Sequence, residues 1–201
     1  MAPRKGAIFT EKGSDKHMDE NALRRLCVQS PVCDYAVAVP LIRKAEGWHL
    51  LYEVRAVSMR RQAGEVCFPG GKRETDEDVI FCAVRELREE LGISPLEICG
   101  ALPFTMNSRG GTVCPVLMIL PDVSPIPNPD EVGDTFTVPV EYLQSHPPAH
   151  YDRVGFPHAL VGIPENYVWW SSYDIIPVYN GLPYPLWGLT ARMTEYFLKL
   201  L

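Results

Sequence analysis

The sequence predicts a single α+β domain in which a mixed β-sheet is packed against a few helices. Three observations predict this class. The chain has 201 residues, of which 46% are hydrophobic and 22% charged, and this is enough apolar chain for one core of ordinary composition. Short apolar runs typical of strands alternate with segments that have helical periodicity. No internal repeat and no low-complexity linker divides the chain.

The elements are predicted in the following order. Residues 1–17 are polar, and we expect a flexible tail there, ahead of a domain that spans 18–201. Asp19 is placed to cap a short helix that ends at Cys27. Strands are predicted at 35–42, 49–54, 98–104, 112–120 and 134–140, with aromatic strands around 166–178. Further helices are predicted at 76–91, 140–144 and 186–201.

Two features qualify these elements. Pro40 favours an edge position or a bulge for the first strand, because proline has no N–H to give to a β-ladder. Four prolines in 121–129 predict an extended surface loop, and a second loop is expected at 145–165.

Charge and cysteine usage exclude several classes of function. The net charge is −6 and the sequence pI about 5.4, so no basic surface is expected for nucleic acid or an anionic membrane. No segment approaches the roughly 18 apolar residues that span a bilayer, and no apolar segment follows the N-terminal charges as in a secretory signal. The six cysteines form no CxxC pair, which predicts reduced, mostly buried thiols. We expect a cytoplasmic protein that acts on a small molecule, with neither nucleic acid nor membrane as partner.

The helix at 76–91 carries the chemistry. At about 100° per residue, Glu86, Glu89 and Glu90 fall within one arc of about 100°. The adjoining arc is apolar and predicts a core-facing side, formed by Ile80, Ala83, Val84, Leu87 and Leu91. Like charges three and four residues apart repel each other, so stability alone would not group them. A hard divalent cation such as Mg²⁺ or Mn²⁺, which prefers oxygen ligands, would hold them together.

The flanks of this helix agree with that interpretation. Thr75 and Asp78 are spaced as a capping box, and Gly92 is placed as the left-handed residue after the helix. Upstream, 68–71 is a tight loop whose glycines let the backbone approach a ligand closely. The carbonyl of Gly71 is therefore a candidate for an additional metal ligand.

These residues resemble the complete Nudix box. Gly71 is followed after five residues by Glu77, and after seven more by the sequence RELREELGI at 85–93. The resemblance implies the Nudix fold, an α/β/α sandwich around a mixed sheet. It also implies an enzyme that hydrolyses a diphosphate linked to another moiety, with Mg²⁺ or Mn²⁺ bound on the box helix.

Residue roles follow from the resemblance position by position. It implies that the metal is held by Gly71, Glu86, Glu89 and Glu90. It implies that Arg85 pairs with Glu77 and orients the glutamates. The general base of the family is sometimes a box glutamate and sometimes lies outside the box. Glu86 is the first candidate, and Glu131 is the candidate outside the box, with a plain loop carboxylate as its alternative.

The segment before the box narrows the substrate. The sequence LLYEVR at 50–55 and the sequence QAGEVCFPGG at 62–71 resemble the additional signature of coenzyme A diphosphatases. Ala56 and Gln62 depart from it, since serine and histidine are usual there. The stretches 107–116 and 186–191 resemble two further family segments. The resemblance implies hydrolysis of coenzyme A or its thioesters to 3′,5′-ADP and 4′-phosphopantetheine or its acyl derivative.

Coenzyme A also carries a 3′-phosphate, so its site requires cations beyond the metal. Arg55, Arg60 and Arg61 are the candidates, with solvated surface arginines as the alternative, and the backbone of Gly70 is expected to approach the substrate. Four aromatic residues are candidates to stack on adenine or to line a pantetheine channel, with core and edge packing as the alternative: Tyr167, Trp169, Trp170 and Tyr173. The loop histidines show no ligand spacing, namely His146, His150 and His158.

Two other functions stay open at this point. One is a Nudix hydrolase for ADP-ribose, NADH or a nucleoside triphosphate. The other is a non-catalytic ligand-sensing Nudix domain, which the intact glutamate set disfavours. Family members often form dimers, so a homodimer is an open assembly. The sequence leaves open which phosphorus is attacked.

Overall fold

The computed structural model describes residues 18–107, 110–167 and 175–201. The predicted tail at 1–17 lies outside these residues, as do Trp169, Trp170 and Tyr173. The helices are α1 (Glu20–Arg25), α2 (Val79–Leu91), α3 (Val140–Ser145), α4 (His158–Val161) and α5 (Gly188–Leu200). The strands are β1 (Tyr35–Lys44), β2 (Gly47–Arg55), β3 (Val66–Cys67), β4 (Gly70–Lys72), β5 (Glu97–Ala101), β6 (Thr105–Met106), β7 (Thr112–Leu120), β8 (Val132–Pro139), β9 (Ala149–Tyr151), β10 (Ile176–Tyr179) and β11 (Leu186–Trp187).

Eight of these strands form the mixed sheet that the sequence predicts. The main order is β3-β2-β1-β7-β5, with β4 paired to β1, β6 to β7 and β8 to β2. Strands β1 and β7 are parallel, from Tyr35 opposite Val113 to Ile42 opposite Leu120, and the other pairs are antiparallel. A smaller sheet contains β9, β10 and β11.

The expected edge position of Pro40 is wrong, because β1 lies inside the sheet. The N–H of Ala38 donates to the carbonyl of Pro69, so the nitrogen of Pro40, two residues further on, points to the same side. On that side β4 pairs with β1 only up to Val37, and β2 pairs with it from Leu41 onward. Pro40 therefore occupies the gap between two partner strands, where no ladder hydrogen bond is lost.

Helices cover both faces of the large sheet, which confirms the predicted α/β/α layers. Ala36, Ala38 and Ile42 of β1 pack in one core with α2, whereas Val39 and Leu41 face a second core with α1, α3 and α5. No helix in the described part of the chain is long and apolar enough to cross a bilayer.

The remaining differences concern short elements. Strands β3 and β4 have only two and three residues, and the sequence does not predict them as strands. The loop predicted at 145–165 contains β9 and α4. The last helix begins at Gly188 because Leu186 and Trp187 pair with β10. All six cysteines are free thiols, as predicted.

Candidate active site

Helix α2 presents the box glutamates, and its two ends fix their place. The side chain of Asp78 caps the helix by accepting a hydrogen bond from the N–H of Ile80 at 2.8 Å. The predicted capping box from Thr75 is wrong, because Asp76 has φ +62° and so interrupts helical backbone at this point. Gly92 ends the helix in the left-handed region, with φ +66°, and donates to the carbonyl of Arg88.

Two box glutamates pack against strand β4, which contains Gly70 and Gly71. Glu90 is 2% exposed, and its Oε2 accepts a hydrogen bond from the N–H of Gly70 at 2.8 Å. Glu86, whose side chain is 13% exposed, lies against Gly71. A Cβ at residue 71 would be 2.5 Å from the carboxyl carbon of Glu86, so any other residue there would displace this carboxylate. Strand β4 and helix α2 are thereby joined through Glu86 and Glu90.

Arg85 organises the other carboxylates. Its Nε and Nη2 donate to the two oxygens of Glu77 at 2.9 and 3.0 Å, which is the ion pair that the box implies. Its Nη1 donates to Glu86 at 2.8 Å and to Glu89 at 3.1 Å. The hydrogen bonds from Arg85 lower the pKa of Glu77 to about 2. One guanidinium therefore holds three carboxylates in fixed positions.

The three metal carboxylates predicted on one arc fall into two environments. Glu89 is 55% exposed and is joined to Arg85, whereas Glu90 is directed into the protein. Burial raises the pKa of Glu86, with Arg85 opposing the change. Burial also raises the pKa of Glu90, and the neighbouring carboxyl of Glu53 raises it further.

Glu131 and Glu53 complete the group of carboxylates, and we call Glu53, Glu86, Glu90 and Glu131 the carboxylate cluster. The backbone carbonyl of Glu131 accepts from the N–H of Ala56 at 2.8 Å, which places it beside the end of β2. Both Glu53 and Glu131 contribute to the raised pKa of Glu90. Sequence reasoning missed Glu53, although a glutamate inside an otherwise apolar strand was a visible signal.

The cluster fits a hard divalent cation in its chemistry. All its side-chain donors are carboxylate oxygens, which Mg²⁺ and Mn²⁺ prefer. Oε2 of Glu53 is buried and has no hydrogen-bond partner in the structure as described. Across residues 18–107, 110–167 and 175–201, no three or more His, Cys, Asp or Glu side chains are already grouped as a metal site. A cation would therefore have to draw the carboxylates together.

Of the predicted phosphate-binding arginines, Arg55 is the last residue of β2, and Arg60 and Arg61 lie on the loop between β2 and β3. Arg55 and Glu65 pair at the base of this loop, where the N–H of Arg55 donates to the carbonyl of Glu65 at 3.0 Å. Arg55 is half-buried and its charge opposes the burial that raises the pKa of Glu53. Arg60 and Arg61 are exposed. Gln62 has φ +54°, and its side-chain amide donates to the carboxylate of Glu65 within the same loop at 3.2 Å.

Other predicted residues have structural contacts. The ring of Tyr167 packs edge-on against that of Trp187, with 5.7 Å between the ring centroids, and both side chains are half-buried. His146 stacks on Tyr142, and His150 forms an ion pair with Glu195 at 3.2 Å.

Comparison with known proteins identifies the family. The model of the NUDIX domain matches residues 34–157. The human mitochondrial coenzyme A diphosphatase NUDT8 is 35% identical over 173 residues, which are 83% of this chain and 68% of that protein. The mouse peroxisomal coenzyme A diphosphatase NUDT7 is 37% identical over 123 residues, 59% of this chain and about half (52%) of that protein. A crystal structure of a C. elegans Ap4A hydrolase binary complex matches with a TM-score of 0.45 at 17% identity, over 53% of this chain and 80% of that one. With a complete box on helix α2 and a domain match over more than half of its length, this chain belongs to the Nudix hydrolase family.

Proposed function

We propose that the chain hydrolyses the diphosphate linkage of coenzyme A or its thioesters, using Mg²⁺ or Mn²⁺. The products would be 3′,5′-ADP and 4′-phosphopantetheine or its acyl derivative. The observation that carries the proposal is the packing of Glu86 and Glu90 against Gly71 and Gly70 of β4. Glu131, from a distant segment, is near enough to contribute to the raised pKa of both glutamates. The names of the human and mouse relatives support coenzyme A as the substrate.

Metal dependence is general among Nudix hydrolases. In this chain Glu86, Glu90 and the carbonyl of Gly71 would hold the cation, with Glu89 adding a carboxylate from its exposed position beside Arg85. When bound, such a cation neutralises phosphate oxygens and lowers the pKa of the attacking water. The half-buried ion pair of Arg85 with Glu77 keeps the box glutamates oriented before any ligand binds.

Proton transfer from the attacking water requires a general base. Glu86 remains the first candidate, because its carboxylate lies against Gly71 in the box and burial raises its pKa. Glu131 is the second candidate. It takes part in none of the ion pairs formed by residues 18–107, 110–167 and 175–201, so its carboxylate is not committed to a cation.

The substrate contacts are proposed from position. Arg55 is the arginine beside the cluster, and we assign it to a phosphate of the substrate. Arg60 and Arg61, exposed on the adjoining loop, are candidates for the 3′-phosphate. The N–H of Gly70 already donates to Glu90, so Gly70 would act by close backbone approach rather than by that N–H.

The test is a substrate panel with Mg²⁺ or Mn²⁺: coenzyme A, acetyl-coenzyme A, dephospho-coenzyme A, ADP-ribose, NADH and dGTP. Products are identified by chromatography and mass. We expect 3′,5′-ADP from coenzyme A, with lower kcat/KM for dephospho-coenzyme A, which lacks the 3′-phosphate. Equal efficiency on both would contradict the proposed arginine contacts. E90Q should abolish turnover without loss of folding.

Two alternatives are outcomes of the same panel. Cleavage of ADP-ribose, NADH or dGTP instead would keep the chemistry and replace the substrate. Metal binding without turnover of any compound would favour a ligand-sensing domain. A cytoplasmic location stays a prediction, since the human and mouse relatives are named as mitochondrial and peroxisomal. Homodimer formation and the absence of nucleic-acid or membrane partners also stay predictions.

A further inference from the structure

Glu53 lies inside the large sheet, where a charged side chain is uncommon. Strand β2 is flanked by β3 and β8, and Glu53 is paired with Cys67 on one side and Thr135 on the other. Side chains alternate between the faces of a strand, so Glu53 shares a face with Leu51, which packs in the core beneath α2. The carboxyl group therefore faces the layer that carries the box glutamates.

The two oxygens of this carboxyl group have different surroundings. The residue is 1% exposed, and Oε1 accepts a hydrogen bond from the thiol of Cys67 at 3.1 Å. Oε2 is buried and, among the described residues, has no hydrogen-bond partner. A buried carboxylate oxygen without a partner is strongly unfavourable unless a cation or a proton compensates it.

The neighbours of Glu53 do not provide that compensation by themselves. The carboxyl group of Glu53 interacts electrostatically with those of Glu86, Glu90 and Glu131. Arg55 contributes one positive charge against these four carboxyl groups, and Arg85, which contacts Glu86, is shared with Glu77 and Glu89 outside the cluster. The thiol of Cys67 is a weak donor. The cluster therefore has more carboxyl groups than its two arginines can balance.

We propose that Oε2 of Glu53 is an additional oxygen donor of the divalent-cation site, beside Glu86 and Glu90 of helix α2. The inference rests on the proposed metal dependence and adds to it a ligand from the sheet, outside the box. A hard cation accepts six or more oxygens, so a fourth carboxylate has a place in its coordination. Binding would then join strand β2 to helix α2 through the cation.

The variant E53Q tests this proposal, because glutamine has nearly the same shape and no charge. Mn²⁺ binding to the chelator-treated full chain is measured by titration calorimetry. We expect the Kd of E53Q to be at least tenfold weaker than that of the unmodified protein. E195Q is the matched control, since Glu195 is also a largely buried carboxylate but lies on α5, in ion pairs with His150 and Lys199. Its Kd should be unchanged.

Melting temperatures separate a cation ligand from a purely structural residue. In EDTA, E53Q should melt at or above the temperature of the unmodified protein, because a buried repelling carboxyl is removed. Saturating Mn²⁺ should raise the melting temperature of the unmodified protein more than that of E53Q, so that the unmodified protein then melts at the higher temperature. A structural role would instead lower the melting temperature of E53Q under both conditions and leave Mn²⁺ affinity unchanged.

The variant E90Q distinguishes failure of this inference from failure of the proposed function. If E90Q weakens Mn²⁺ binding and E53Q does not, Glu53 is not a donor and the proposed metal site stands. If neither weakens it, or the unmodified protein binds no Mn²⁺, the metal site itself is wrong. Should E53Q fail to fold, E53D keeps the charge, withdraws the carboxylate by one methylene, and is expected to show the same loss of affinity.

Discussion

Arg85 shows at the scale of single residues how an active site is held in order before its ligands arrive. Its guanidinium forms two parallel hydrogen bonds with Glu77 and one each with Glu86 and Glu89. Two parallel hydrogen bonds from a planar guanidinium fix the orientation of the carboxylate. A lysine ammonium group cannot form this arrangement. The strongest electrostatic consequence falls on Glu77, whose pKa is lowered to about 2 by these bonds.

This shift predicts a pH dependence of stability. A carboxyl with a lowered folded-state pKa stabilises the fold above its unfolded value of 4.5, and this contribution is lost as pH falls toward about 2. Between pH 6 and pH 2, the unfolding free energy of the unmodified protein should fall by about 1 kcal/mol more than that of E77Q, since the pair is partly solvent-screened. Urea unfolding across this range measures the difference.

The control for this prediction is E74Q, which removes an exposed carboxyl from the same loop. E74Q should retain the pH dependence of the unmodified protein. If E77Q retained it as well, the ion pair between Glu77 and Arg85 would not persist in solution.

The sequence predicts this pair and fails to predict Glu53, for a physical reason. Glu77 and Arg85 lie within one local motif, and the resemblance to the Nudix box implies their pairing. Glu53 becomes a site residue because β3 and β8 flank its strand and α2 covers its face. These contacts join segments far apart in sequence, and periodicity within one segment carries no information about them.

At the scale of elements, helix α2 illustrates what sequence spacing leaves undecided. The apolar arc predicts the core-facing side correctly, and Gly92 ends the helix as expected, whereas Glu90 of the acidic arc is buried. The first turn differs, because both Thr75 and Asp78 are suitable capping residues. Which of the two residues caps the helix depends on the backbone of the preceding loop, where Asp76 adopts a left-handed conformation. This conformation is set by the folded loop and is not visible in the residue spacing.

This difference predicts unequal effects of two alanine substitutions. D78A removes the side chain that accepts the hydrogen bond from Ile80 and should lower the unfolding free energy by about 1 kcal/mol. T75A, at an exposed position outside the helix, should stay within about 0.5 kcal/mol of the unmodified protein. Urea unfolding at pH 7 measures both. A loss for T75A as large as that for D78A would mean that the helix begins a turn earlier in solution.

At the scale of the whole molecule, strand β1 determines the arrangement of layers. It pairs with β7 along eight residues and supplies side chains to both cores. The sequence predicts β7 at its observed bounds, because a long apolar run identifies a buried strand without knowledge of its neighbours. It does not predict β3 and β4, whose few residues become strands only when β2 and β1 lie beside them.

The second core contains a polar link between the sheet and the last helix, which gives a prediction for the whole fold. Tyr52 of β2 and Thr194 of α5 are both fully buried, and their hydroxyl groups are 3.0 Å apart.

T194V leaves the phenol of Tyr52 without a partner and should lower the unfolding free energy by about 1–3 kcal/mol. Y52F should cost less, because a helical threonine hydroxyl can turn to a backbone carbonyl one turn earlier. In the double variant neither hydroxyl remains, so its loss should be clearly smaller than the sum of the single losses. Urea unfolding of the four proteins measures this coupling. Strictly additive losses would show that the hydroxyl groups of Tyr52 and Thr194 do not interact in solution.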